Sequence, residues 1–229
     1  MKKKYSVNIR HRASPIEDIG LRHDAFIKKQ SVIDRQWQIP IDSESAPSEI
    51  KGNLISTLEL KGILPKGLKG ILQYSFRGED YLKDEAQYDD FYSIDFNPEK
   101  VDYTNFVNIT LPELIVAFEA YRARVYLVDI AISDWNEIIK KSSDSDKDVD
   151  GRDGVYRIYA VNYFDRELCK RAFDLSPEQI VERLESKVEQ VRILGDGVYL
   201  VYTSRPLDSD ELENVDSEVR ELMGKKGSG

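Results

Sequence analysis

Aromatic and acidic side chains are interleaved in residues 80–92, Asp80-Tyr81-Leu82-Lys83-Asp84-Glu85-Ala86-Gln87-Tyr88-Asp89-Asp90-Phe91-Tyr92. At protein interfaces, aromatic rings supply much of the binding energy, while carboxylates pair with the partner's lysines and arginines. The pattern therefore predicts contact with a basic protein surface through Asp80, Tyr81, Asp84, Glu85, Tyr88, Asp89 and Asp90. A strand whose rings face the core and whose acids face water is the alternative. Because side chains alternate along a strand, Tyr88 and Phe91 cannot serve both the core and the interface.

A second acidic segment, residues 142–153, contains Asp144, Asp146, Asp148, Asp150 and Asp153. Its polar composition predicts a loop, and we expect these five carboxylates to extend the acidic binding face. Within it, Asp146-Lys147-Asp148-Val149-Asp150-Gly151 begins like a calcium-binding EF-hand loop. The twelfth position of that frame is Arg157 instead of the bidentate Glu, and a strand is predicted to follow. A solvated loop is therefore favoured, and a weak cation site is the alternative.

The remaining residues with reactive side chains show no catalytic signature. His11 and His23 are the only histidines, and no third ligand type lies near them at helical spacing. Cys169 is the only cysteine, which excludes an intrachain disulfide, and its predicted helix favours a core position. The serine-rich stretches lack the glycine elbow of a nucleophilic serine. We therefore predict a non-catalytic protein that uses no metal or cofactor.

Strands and helices are interspersed along the first two thirds of the chain. Alternation and β-branched content predict strands within residues 5–12, 53–76, 88–96, 124–132 and 154–164. In the first of these strands, Tyr5, Val7 and Ile9 are predicted to lie on one, inward face. Ser14-Pro15-Ile16-Glu17 has the form of a capping box and predicts a helix start, with further helices at residues 111–118 and 133–141.

The last third has the clearest local signals. Ser176-Pro177-Glu178-Gln179 predicts another capped helix, and Gly195-Asp196-Gly197 predicts the turn of a β-hairpin. Residues 208–223 have the spacing of an amphipathic terminal helix. Together these elements predict an α+β fold: a mixed, largely antiparallel sheet with packed helices, including a C-terminal β-hairpin followed by a terminal helix.

We expect a single domain over residues 1–226. Two lobes, 1–141 and 154–226, joined by the acidic loop 142–153, are the alternative. Gly227-Ser228-Gly229 resembles an added tail.

Charge is distributed unevenly over the 229 residues, whose formal net charge is −9. Residues 80–153 carry −10, whereas residues 1–79 carry +5 and residues 154–229 carry −4. The acidic balance argues against direct binding to nucleic acid or to an anionic membrane, because both attract lysine and arginine. No apolar run approaches the roughly 20 residues of a membrane-spanning helix. The basic start Met1–Lys4 is not followed by an apolar stretch, so we expect a cytoplasmic location.

Two stretches resemble the immunity proteins of bacterial polymorphic-toxin systems. They are Phe96-Asn97-Pro98-Glu99-Lys100-Val101-Asp102-Tyr103 and Leu111-Pro112-Glu113-Leu114-Ile115-Val116-Ala117-Phe118-Glu119-Ala120-Tyr121-Arg122-Ala123. The resemblance implies a neutralising complex with a cognate toxin domain. Many such toxins are nucleases with basic clefts, which acidic loops can occupy in place of phosphate. The family has no universal motif, so the resemblance assigns no residue a role.

We therefore expect a binding protein that neutralises a cognate, basic toxin domain by stoichiometric complex formation. A cytosolic adaptor or housekeeping interaction module is the first alternative. An enzyme with an unrecognised active site is the second.

Overall fold

One antiparallel sheet forms the centre of the molecule in the computed structural model, which describes residues 4–40, 55–77 and 89–224. Its strands are β1 (Tyr5–His11), β2 (Ile55–Glu59), β3 (Lys69–Ser75), β4 (Asp90–Phe96), β5 (Arg122–Leu127), β6 (Val161–Phe164), β7 (Gln190–Leu194) and β8 (Gly197–Val201). The helices are α1 (Ile19–Gln30), α2 (Leu111–Ala117), α3 (Val128–Ser145), α4 (Arg166–Phe173), α5 (Pro177–Leu184) and α6 (Ser209–Leu222). A turn of α-helix at Tyr103–Asn105 and a π-helix at Phe106–Thr110 lead into α2.

The strand order is β2-β3-β4-β1-β5-β6-β8-β7, and each pairing between described strands is antiparallel. The predicted α+β fold is confirmed, including the hairpin β7–β8 and the terminal helix α6 after it. β5 pairs with β6, so strands from both sides of residues 142–153 share the sheet.

One face of the sheet forms the main core. On β1, Tyr5, Val7 and Ile9 alternate inward as predicted and are buried. α1 and the helical segment 103–117 cover this face; Phe106 of the π-helix stacks on Trp37, with ring centroids 4.0 Å apart. This layer buries the large side chains that a chain of this length needs for stability.

The second face is covered unevenly. α4 packs on it through Phe173, whose ring lies 5.3 Å from that of Phe164 on β6. On β1, β4 and β5, by contrast, most residues of the second face are only half-buried, although Ser6 and Arg122 are buried. Among the half-buried residues are Asn8, Arg10, Phe91, Ser93, Asp95, Arg124 and Tyr126. This half of the second face is the part of the sheet that α3 approaches.

β5 ends earlier than the sequence predicts, and a long helix replaces the end of the predicted strand. Val128, Ile130 and Ile132 favour a strand by their β-branched side chains. However, the pairing with β1 ends at Leu127, opposite Tyr5, and the Val128 amide bonds to the carbonyl of Lys4, the first described residue, at 3.0 Å. The chain then turns into α3, which continues to Ser145 through what was predicted as a loop. No helix among the described residues is both long and apolar enough to cross a bilayer.

α1 begins four residues after the predicted position. Asp18, not Ser14, caps it, and accepts a hydrogen bond from the Leu21 amide at 2.8 Å. Ser14 and Glu17 instead form a turn, in which the Ser14 amide donates to the Glu17 carboxylate at 3.2 Å. Ile16, which lies in this turn and not in the predicted helix, is almost fully exposed as a result.

The capping box of α5 gives a test of local stability. Ser176 accepts a hydrogen bond from the Gln179 amide, and the Gln179 side chain accepts one from the Ser176 amide. Ser176→Ala should lower the free energy of unfolding by about 1 kcal/mol, because the Gln179 amide at the helix start loses its side-chain acceptor. Ser209→Ala, in the exposed first turn of α6, is the matched control and should change it by less than about 0.5 kcal/mol in urea denaturation. Equal effects of the two substitutions would contradict the assignment of Ser176 as the N-cap of α5.

Candidate functional site

A cleft of about 960 Å³ separates α3 from the open half of the second sheet face. α3 forms one wall, and β1, β5 and the turn after α3 form the floor and one end. The lining includes Asn8, Arg10, Arg124, Tyr126, Ile132, Trp135, Ile139, Asp146, Asp148, Asp150 and Tyr159. Pockets of this size accommodate small organic ligands or part of a protein partner.

The wall formed by α3 is apolar and exposed. Ile132, Trp135 and Ile139 follow helical spacing along one face, and are 67%, 60% and 50% exposed. Only two side chains of this 18-residue helix are buried, Ile130 and Asp134. Asp134 ties the helix to the following segment through a bidentate ion pair with Arg157, at 2.5 and 2.7 Å. The helix is thus held in place by few contacts, and most of its apolar face is left uncovered.

Paired residues of β1 and β5 form the floor. Asn8 lies opposite Arg124, and Arg10 lies opposite Arg122. Side chains directly opposite one another on antiparallel strands are close neighbours, so Arg10 and Arg122 place two positive charges side by side. The guanidinium of Arg124 also lies 5.1 Å above the ring of Tyr126. Such a cluster needs anionic partners to be stable.

Asp150 supplies much of the negative charge that stabilises these arginines. Its carboxylate bridges two arginines, accepting from Arg122 Nη2 at 2.5 Å and from Arg124 Nη1 at 2.6 Å. Burial opposes ionisation of Asp150, but the charges of Arg122, Arg124 and Arg10 outweigh it and lower its pKa. The carboxylate is therefore ionised, and it holds the turn after α3 against the sheet.

Two further aspartates of the predicted binding face are also used internally. Asp89 accepts from Arg152 Nε at 2.7 Å and from the Tyr121 hydroxyl. Burial raises the pKa of Asp89, against the charge of Arg152. Asp90 accepts from Arg22 Nε at 3.0 Å and from Arg77 Nη2 at 2.7 Å. Both carboxylates are buried.

The structure therefore does not place all the acidic residues of the predicted binding face on one exposed surface. Asp80, Tyr81, Asp84, Glu85 and Tyr88 lie outside the described residues. The placement of Asp89, Asp90 and Asp150 on a solvated surface is wrong, because each is buried against arginines from distant parts of the chain.

The other four predicted aspartates remain at or near the surface. Asp144 and Asp146 are exposed, at the end of α3. Asp148 and Asp153 are half-buried; Asp153 pairs with Arg171 at 2.9 Å and accepts from the Asp148 amide at 3.1 Å. Asp146 ends the helix in the left-handed region, with φ of 52°, and its amide bonds to Ser142. Binding by these carboxylates stays a prediction.

The cation site that the EF-hand-like spacing left open is not formed. Among the described residues, the carboxylates of Asp146, Asp148 and Asp150 do not converge on one point, because Asp150 is turned to its two arginines. His11, Glu17 and Asp90 do converge, with one ligand atom of each within 4.8 Å of the others.

Arginine side chains nevertheless surround the group formed by His11, Glu17 and Asp90. Arg22 and Arg77 both contact Asp90, and Arg77 also approaches Glu17 at 3.5 Å. Burial opposes ionisation of Glu17, but the hydrogen bond and charge of His11, together with Arg22, lower its pKa to about 2. These contacts are typical of a structural ion-pair network, since the positions a cation would take are filled by guanidinium groups.

Cys169 occupies a core position, as predicted. It is fully buried on the inner side of α4, and burial raises its thiol pKa to about 12. The neutral thiol is a poor nucleophile.

The cleft residues were missed because the predicted strand 124–132 and helix 133–141 divided them. Ile132 was assigned to the strand, so its helical spacing from Trp135 and Ile139 was not considered. In a helix that begins at Val128, the spacing of these three apolar residues places them on one face. Arg10 and Arg124 gave no local signal, because only strand pairing brings them together.

A second groove, of about 480 Å³, lies at the other side of the main core layer. It is lined by Val32 at the end of α1, Ile109 of the π-helix and Val116 of α2. Lys29 and Arg192 flank it. Glu113 also lines it, so the groove has two basic side chains and one carboxylate.

Asp150→Asn should lower the free energy of unfolding by about 3 kcal/mol at pH 7, because it leaves two buried arginines without a counter-charge. A carboxyl whose folded pKa is lowered stabilises the fold above its unfolded pKa, about 3.9, and loses that contribution as the pH falls. The difference between the variant and the unaltered chain should therefore shrink below about pH 4. Asp146→Asn, at an exposed carboxylate, is the control for urea denaturation. If the difference in unfolding free energy stayed constant from pH 7 to pH 3, it would contradict the ion pairs of Asp150 with Arg122 and Arg124.

No protein-family model and no curated protein matches the chain. Among solved structures, the fold is similar to that of the Pseudomonas aeruginosa T6SS protein PA0821, with a TM-score of 0.47 and 9% sequence identity. The alignment covers 99% of this chain and 76% of that chain. A similarity this distant assigns no activity to the chain.

Proposed function

We propose that this chain is a non-catalytic, cytoplasmic binding protein of the immunity type, which neutralises a cognate toxin domain by stoichiometric complex formation. The observation that supports this proposal is the uncovered apolar face of α3. Exposed apolar patches bordered by polar residues are typical of protein interaction sites. A large aromatic residue at the centre of such a patch, here Trp135, is the residue type most enriched among binding hot spots.

The charge around this face favours a basic partner. Residues 128–148 contain six acidic and three basic side chains. Asp144 and Asp146 are exposed at the end of the helix, next to the apolar stripe. Carboxylates at the rim of an interface accelerate association with a basic partner, while the apolar centre slows dissociation.

The internal ion pairs make the remaining surface more acidic than the total charge indicates. Asp89, Asp90 and Asp150 together engage five arginines, so this buried set carries two excess positive charges. With a total of −9, the rest of the chain therefore carries −11. The five arginines are Arg22, Arg77, Arg122, Arg124 and Arg152. A basic toxin domain, such as a nuclease with a phosphate-binding cleft, is the partner class that this distribution suits.

The resemblance of residues 96–103 and 111–123 to immunity proteins adds the biological context. The second groove is a weaker candidate for the same contact, because its two basic lining residues, Lys29 and Arg192, outnumber its one carboxylate, Glu113.

The proposal is tested with the C-terminal domain encoded by the gene adjacent to that of this chain. Co-expression should restore growth, and the two proteins should co-purify in a one-to-one ratio. Trp135→Ala should weaken the complex by at least about 30-fold, because it removes the central apolar contact. Its free energy of unfolding should change by less than about 0.5 kcal/mol, since the side chain is largely exposed.

Ile132→Ala and Ile109→Ala form a matched pair. Both remove an exposed isoleucine, one beside the cleft and one in the second groove. Only Ile132→Ala should lower affinity in a calorimetric titration. An effect of Ile109→Ala alone would move the interface to the second groove, and the absence of both rescue and co-purification would refute the immunity function.

A further inference from the structure

Four arginines lie in or beside the floor of the cleft with fewer acidic partners, and two of them, Arg10 and Arg124, line the cleft itself. The four are Arg10, Arg122, Arg124 and Arg152, and the carboxylates that form ion pairs with them are Asp89 and Asp150. Asp148 is the third acidic side chain of this region, and accepts a hydrogen bond from the Arg152 amide at 2.6 Å. Even with Asp148 included, the cluster has one more guanidinium than carboxylate.

Arg10 is the guanidinium left over. Within the described residues it donates one hydrogen bond, from Nε to Asn8 Oδ1 at 3.1 Å, and forms no ion pair. That bond fixes the plane of the guanidinium and leaves both Nη groups available. Arg10 lines the cleft together with Arg124, so the free donors lie where a ligand can enter.

Its neighbours also retain unused donors. Nε and Nη1 of Arg122, whose side chain is 2% exposed, have no hydrogen-bond partner among the described residues, and neither has Nε of Arg124. Buried donors without a partner are costly, and those of a charged group cost more than those of a neutral one. Burial lowers the pKa of Arg122 against the charge of Asp150, and the like charges of Arg124 and Arg10 lower it further. An additional anion would relieve this repulsion.

We propose that the floor of the cleft is a binding site for an oxyanion, carboxylate or phosphate, carried on a small apolar body. The two Nη groups of Arg10 would hold the oxyanion in the forked geometry that guanidinium groups favour. The apolar body would lie against Trp135 and Ile139, which form the facing wall. The volume of about 960 Å³ suits a small organic anion. This site does not rest on the proposed function, and it would exist without a toxin partner.

Three probes of the same shape test the site on the full chain: benzoate, phenyl phosphate and benzyl alcohol. Binding is measured from chemical-shift changes of the arginine Nε–H resonances in NMR titrations. Benzoate, phenyl phosphate or both should shift the Arg10 and Arg124 resonances, whereas benzyl alcohol, which lacks the charge, should bind at least about tenfold more weakly. The tighter of the two anions identifies the site as a carboxylate or a phosphate site.

Two variants should change the affinity in opposite directions. Arg10→Gln should weaken anion binding about tenfold by removing the free guanidinium. Asp148→Asn should strengthen it about threefold to tenfold, because it removes a negative charge from the end of the cleft while retaining an acceptor for the Arg152 amide. Arg35→Gln, an exposed arginine outside the cleft lining, is the control for net charge and should have no effect.

Several results would contradict the proposed oxyanion site. Failure of both benzoate and phenyl phosphate to bind at millimolar concentration would contradict the proposal, and so would equal affinity of the bound anion for Arg10→Gln and for the unaltered chain. Equal binding of benzyl alcohol and benzoate would show that the charge is not recognised. Should Arg10→Gln fail to fold, Asp148→Asn keeps the proposal falsifiable, since unchanged or weaker binding in that variant contradicts an oxyanion site.

Discussion

The bridge from Asp150 to Arg122 and Arg124 is the contact on which the site depends. Positive side chains on neighbouring central strands repel one another, and a partly buried sheet face cannot hold them without counter-charge. Asp150 comes from the segment that follows α3, so neutralising the sheet also fixes where that segment returns. The position of the cleft is therefore a consequence of how the central strands are neutralised.

α3 is held at both ends and at one point along its length. At its start, Val128 continues directly from β5; at its end, Asp150 anchors the following turn; between them, Asp134 pairs with Arg157. None of these contacts uses the apolar stripe of Ile132, Trp135 and Ile139. Because the ion pairs position the helix, its apolar face need not pack against the sheet and is left available to a ligand or partner.

Because of the same ion pairs, the distribution of charge along the sequence differs from the distribution of charge on the surface. The middle third of the chain is the most acidic, but several of its carboxylates face inward. Arginines from all three thirds neutralise them: Arg22 and Arg77 from the first, Arg152 from the middle and Arg157 from the last. Exposed carboxylates remain at the end of α3, where Asp144 and Asp146 lie, while the arginine cluster in and beside the floor of the cleft has an excess of positive charge. One cleft thus combines an acidic rim, an apolar wall and a basic floor.

Local signals in the sequence were sufficient for much of the fold. Alternation predicted β1 and the inward positions of Tyr5, Val7 and Ile9, and the capping box predicted the start of α5 at Pro177. These features involve residues a few positions apart, whose geometry depends on the period of the strand or helix itself. The same local rules were wrong where a tertiary contact competed with them. Glu17 contacts His11 instead of capping a helix, and the chain from Val128 onward forms α3, tied by the Asp134–Arg157 ion pair, instead of continuing the strand.

The sequence by itself determined the fold class, the net acidity and the absence of an intrachain disulfide, because these follow from composition, periodicity and short-range spacing. Only the tertiary structure decided which carboxylates are surface groups and which are counter-ions of buried arginines. Asp90 lies 68 positions from Arg22, and Asp89 lies 63 positions from Arg152. An aspartate has the same local signature in both roles. What distinguishes them is the charge that strand pairing and chain return bring within a few ångströms, and that charge comes from residues far away in the sequence.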